Sequence, residues 1–170
     1  MKIDWERYVP PGINHKKERE WIIAGLVISL ICSMGFLLSY IENYRALFWE
    51  LDGEKGIIKG ALMPDFVGLL NSRLYGFPVL ALCMVAVFLY HYLYHYQGSK
   101  SIYLMKRLPD RFELWRRCLT LPLAAALLSM VIAAALMLLY FGIYMYFTPD
   151  VCLTPNQWEK TGSVLLGVAL

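Results

Sequence analysis

The chain has 170 residues, of which 59% are hydrophobic and 17% charged, with a net charge of +3 at neutral pH and a mean hydropathy of +0.50. Soluble domains average roughly 25% charge and 45 to 50% apolar residues, so this balance excludes an ordinary soluble domain, a disordered chain and a nucleic-acid-binding domain. The apolar residues gather into three uncharged runs, Trp21 to Ile41, Leu74 to Gln97 and Cys118 to Pro149. About 20 such residues cross a bilayer as a helix, and the predicted fold is therefore an all-α, polytopic transmembrane protein of three spans with an incomplete fourth.

In chain order, residues 1–20 carry four acidic and five basic side chains before any apolar run begins. A cleaved signal needs a basic start and an apolar stretch of only about 7 to 15 residues, so the first run, span one at 21–41, is a retained anchor. The loop 42–73 follows. Gly53, Gly56, Gly60 and Pro64 break it into short pieces, and Phe66, Leu69, Leu70 and Leu74 share a helical spacing that suits the outer membrane face; a loop packed over the span ends and a substrate gate are the other readings. Span two is 74–97. The segment 98–117 sets six basic residues against Asp110 and Glu113. Span three is 118–147, and Pro122 lies near its start, where a missing N–H is tolerated. As helix the whole apolar run Cys118 to Pro149 reaches about 48 Å, beyond the roughly 30 Å of hydrocarbon, so it tilts or projects. The outer segment is 148–170, and Gly162 to Leu170 within it is too short to span.

Short loops rich in Lys and Arg stay in the cytoplasm. Residues 1–20 and 98–117 are the basic segments, while 42–73 and the stretch after Phe147 carry a slight acidic excess. That puts the N-terminus and the second loop inside, at the plasma (inner) membrane of a bacterium. Trp21, Trp49, Trp115 and Trp158 all fall near span ends, as interfacial rings do. The Tyr90 to Tyr96 stretch, and Tyr140, Tyr144 and Tyr146, read as belts at the two faces.

Two ladders of small residues, Gly25, Ser29 and Ser33 in span one and Ala125, Ser129 and Ala133 in span three, repeat at four-residue spacing and predict close helix contact. No Asp, Glu, Lys or Arg lies within a span, which removes the usual marker of an ion or proton path. Cys32, Cys83, Cys118 and Cys152 are isolated and read as small buried hydrophobes. His91 and His95 are four apart on one helical face, a spacing open to a metal or haem. No carboxylate within a span completes such a site, and tyrosines flank both, so interfacial anchoring is the plainer reading and no metal is assigned. Gly98-Ser99-Lys100-Ser101 lacks the earlier glycine of a P-loop and the strand before it. The chain thus has no nucleotide site or other catalytic motif of its own.

Asp110 can cap a short helix whose apolar side is Phe112, Leu114 and Trp115, with Arg111, Arg116 and Arg117 around it. Here the sequence resembles permeases of the type 2 ABC exporter class, in which a Leu-Pro followed by a polar and a basic residue lies in the cytoplasmic loop between the second and third spans. Leu108, Pro109, Asp110 and Arg111 occupy that place. The resemblance implies a permease subunit with no cofactor in this chain, coupled to an ABC ATPase subunit that holds the ATP. Lys106, Arg107, Leu108, Pro109, Asp110, Arg111 and Trp115 would be its coupling contacts. Members commonly have six spans, so the resemblance further implies a reduced subunit, or one that pairs with a second permease copy or subunit. Two other readings stand beside it: a non-transporting membrane scaffold or regulator whose basic loop binds lipid or protein, and a haem or metal-binding redox subunit using His91 and His95.

Overall fold

The computed structural model describes residues 15–51, 54–58, 60–97 and 113–165. Three helical stretches are long and apolar enough to cross a membrane, Lys16–Ala46, Gly76–Leu93 and Cys118–Phe147. They match the three expected spans, and the protein is a multi-pass helical membrane protein.

Span one is two helices, α1 (His15–Ser33) and α2 (Gly35–Ala46). The break at Met34 has a local cause. Ser33 turns its hydroxyl onto the Leu30 carbonyl at 2.8 Å, competing with the backbone ladder, and Gly35 follows. The Met34 amide consequently divides between the carbonyls of Leu30 and Ile31, each at 3.2 Å. Helix also extends beyond both ends of the expected 21–41, taking in Glu18 before it and Glu42 and Arg45 after it. Next come the antiparallel pair β1 (Phe48–Leu51) and β2 (Glu54–Ile57), the short helix α3 (Phe66–Leu70), and span two as α4 (Gly76–Gln97). Span three is α5 (Glu113–Phe147), followed by a single 3₁₀ turn at Asp150–Cys152 and α6 (Gln157–Leu165). Because α5 starts at Glu113, Pro122 is interior rather than at the first turn. There it removes the bond that would reach the carbonyl of Cys118.

The chain forms two compact units, one of residues up to Ser29 with Tyr75–Ala133, the other of Leu30–Leu74 with Ala134–Leu170. In the first, Leu80, Met84 and Ala125 are buried together, with Ile22, Leu26, Val87 and Ala126 packed against them. A Cβ added to Gly76 would lie 3.2 Å from the Ser29 Cα, so α1 and α4 meet there almost backbone to backbone. In the second, the core is aromatic. Phe36 stacks on Tyr140 with ring centroids 4.7 Å apart, and Phe66 stands edge-on to Phe36 at 5.6 Å and to Phe141 at 5.2 Å, the offset and T-shaped arrangements that ring quadrupoles favour.

Three expectations are corrected by these contacts. The loop 42–73 does not lay Phe66 and Leu69 on the membrane, because both are buried in the aromatic core. Tyr140 and Tyr144 are core residues rather than belt anchors, and only Tyr146 of the three is exposed. Cys118 and Cys152 are buried as expected, whereas Cys32 and Cys83 are exposed, lying on apolar helix faces.

Candidate functional site

The first unit holds a buried ionisable pair that the run pattern conceals. Glu18 lies on the first turn of α1, ahead of the apolar run, and His91 lies near the end of the span-two stretch of α4. Packing of the two helices brings them together, and the His91 Nε2–H donates to Glu18 Oε1. His91 is 1% exposed and the Glu18 side chain 18%. Interfacial anchoring is therefore not what His91 does. The carboxylate explains its burial, since a polar ring loses little when water is replaced by a charged acceptor. The remaining atoms of the pair, Glu18 Oε2 and His91 Nδ1, are buried and have no hydrogen-bond partner among the described residues. Beside them runs a groove of about 330 Å³ lined by Trp21, Ile22, Met84, Val87 and Tyr90 together with Glu18. Among the described residues no group of three His, Cys, Asp or Glu side chains comes together. His95 shares α4, but its side chain lies outside the described residues.

The small-residue ladders lie at helix contacts. Gly25 faces Leu80, Ser29 faces Gly76, and Ser33 shares a hydrogen bond of 3.0 Å with the Tyr140 hydroxyl. Ala125 and Ser129 are buried, and Ala133 is half-buried. Of the expected coupling residues, Lys106, Arg107, Leu108, Pro109, Asp110 and Arg111 lie outside the described residues. Trp115 is on the first turn of α5, half exposed, with its ring edge-on to Phe88 at 5.5 Å.

The second unit is closed by a polar cluster around Asp65. Its Oδ1 accepts from the Thr154 hydroxyl at 2.7 Å, the Gln157 amide at 2.9 Å and the Lys160 ammonium at 3.0 Å. The same Gln157 returns its carbonyl oxygen to the Phe66 amide at 3.1 Å. The Thr154 hydroxyl, then Lys160 and Gln157, hold the Asp65 carboxyl at about 2, below its ordinary 3.8. Backbone bonds join the same segments, Met63 N–H to the Cys152 carbonyl at 2.9 Å and the Tyr144 hydroxyl to the Pro64 carbonyl at 3.0 Å. The cluster ties α3 to α6. No protein-family model matches the chain, and no curated protein or solved structure matches it either.

Proposed function

We propose that the chain is a membrane permease subunit of an ABC-type export system, driven by a separate ATPase that docks on the loop 98–117. The observation that carries the reading is the run Leu108-Pro109-Asp110-Arg111, set in a strongly basic segment between the second and third membrane helices. Basic side chains around an apolar stripe suit an acidic partner surface, where charge sets the encounter and the apolar side chains fix the fit. The sidedness follows the positive charge: N-terminus and loop 98–117 in the cytoplasm of a bacterium, the Asp65 cluster outside. ATP belongs to the partner, because Gly98-Ser99-Lys100-Ser101 lacks the phosphate-cradling glycines. Three spans are few to enclose a path, so a second permease copy or subunit completes the assembly.

The test is affinity purification of the tagged protein from its native membrane in mild detergent, with the captured proteins identified by mass spectrometry. An ABC ATPase is expected among them. Reversing charge with Arg107→Glu and Arg111→Glu should lower its recovery at least about tenfold, as like-charge juxtaposition costs more than the 1.4 kcal/mol that a factor of ten represents. Capture without any ATPase, or capture indifferent to the charge reversal, overturns the coupling role.

A further inference from the structure

The second unit sets a cation beside the apolar run of span one. We propose that Arg73 binds the phosphate of a membrane phospholipid and holds it against Gly35 and Ser39 of α2.

The turn that follows α3 fixes where Arg73 stands, since its amide donates to the Leu70 carbonyl at 2.9 Å after Asn71 has turned the chain at a φ of 39°. Its guanidinium lies against the backbone of Gly35. A Cβ there would come within 2.8 Å of Nη1 and 3.1 Å of Cζ, so the missing side chain makes the seat. Nη2 donates to the Ser39 hydroxyl at a long 3.4 Å, and among the described residues the guanidinium makes no other hydrogen bond and no ion pair. Glu42, one turn beyond Ser39, is exposed and does not reach it. The depth of the seat gives this charge its meaning. Gly35 lies six residues inside the end of the uncharged run Trp21 to Ile41, about 9 Å along a helix, and Met34 and Leu38 beside it are largely exposed, facing lipid. A charge in such surroundings takes a partner. The guanidinium fork matches two phosphate oxygens at once, and the Ser39 hydroxyl keeps its own proton to donate. A phosphodiester is the anion that a bilayer supplies at its edge, whereas an uncharged sugar headgroup would leave the guanidinium unmet.

The test is photocrosslinking at the seat itself. The full chain, with benzoylphenylalanine in place of Leu38, is placed in nanodiscs of equal parts phosphatidylglycerol and a galactosyl diacylglycerol with the same acyl chains, and the lipid adducts are identified by mass spectrometry. Phosphatidylglycerol should exceed the galactolipid about fivefold, the contribution of one basic side chain to an anionic lipid. Arg73→Gln should return the ratio to about one. Gly35→Ala should also lower it and leave the fold intact, because the end of a long side chain swings aside for a methyl group. Glu42→Gln should change nothing. The proposal is overturned by equal adducts in the parent chain, by enrichment that survives Arg73→Gln or Gly35→Ala, or by enrichment that rises in Glu42→Gln, which would make Glu42 the partner of Arg73. Loss of enrichment in excess inorganic phosphate, against sodium chloride of matched ionic strength, would make a free anion the ligand and overturn the lipid assignment. No ATPase enters the measurement, so its failure is separable from failure of the permease reading.

Discussion

Asp65 gathers a hydroxyl, an amide and an ammonium on one carboxylate, and the sign of its pH dependence follows directly. A carboxyl held at about 2 in the fold against an ordinary 3.8 contributes its stabilisation in full above about pH 4 and loses it as pH falls toward 2. Asp65 is 41% exposed and Lys160 44%, so solvent screening keeps the effect modest. Acid titration followed by the fluorescence of Trp158, which sits on α6 with its ring 5.1 Å from Phe141, should show a transition between pH 4 and 2. Asp65→Asn should remove that transition and leave the others. Neither this cluster nor the Glu18–His91 pair was legible in the sequence. Asp65 and Gln157 stand 92 positions apart and Glu18 and His91 73 apart. Glu18 moreover sits among the charged residues of 1–20, where a solvated face is the natural expectation. One local signal was available, since an ionisable residue within one turn of an apolar run is drawn toward the membrane once the helix extends past the run.

At the scale of elements, the contact of α1 with α4 depends on the absence of a side chain at Gly76. A Cβ there would lie 2.8 Å from the Ser29 Oγ and 3.0 Å from its Cβ, so Gly76→Val should destabilise the protein by about 1 to 3 kcal/mol through overpacking. Gly142, on α5, has nothing within 4 Å of its Cβ position, and Gly142→Ala should stabilise by about 0.5 to 1 kcal/mol through reduced backbone entropy in the unfolded chain. Thermal unfolding in mild detergent compares the two, and equal shifts would remove the packing argument. The spans were legible because an apolar run of bilayer length has few other uses. The β1–β2 pair was missed although Asp52-Gly53 separates its strands, a dipeptide that is a strong hairpin signal; the glycines around it read as loop breakers instead. The break at Met34 was also missed, because hydropathy is blind to a serine hydroxyl that turns back on its own helix.

For the whole molecule, the pattern of exposure is that of a protein solvated by lipid. Leu38, Leu82 and Val131 are each about two-thirds exposed, at 66%, 70% and 64%, on helices that satisfy their backbone bonds internally, as a membrane requires, save where Pro122 interrupts α5. Among the described residues, polar side chains of the membrane helices meet in pairs: Glu18 with His91, Ser33 with Tyr140, and Tyr40 with Thr148 just past α5 at 3.2 Å. Such pairs add specificity where lipid gives helices no hydrophobic reason to associate.

The Asp65 cluster also sets the order in which the protein can mature during synthesis. Asp65 leaves the ribosome 89 residues before Thr154 and 95 before Lys160, and the Met63 amide waits for Cys152. Until both later spans have been inserted, the segment 63–70 lacks its polar partners, and Phe66 has Phe36 beside it but not yet Phe141 or Tyr144. Completion of the C-terminal segment is then the event that closes the loop 42–73, and a shortened chain carries that loop open. A chain ending at Phe147 should be cut by chymotrypsin after Phe66 roughly tenfold faster than the full chain, since cleavage follows the population of the open form. Equal rates would mean that the loop closes without its late partners.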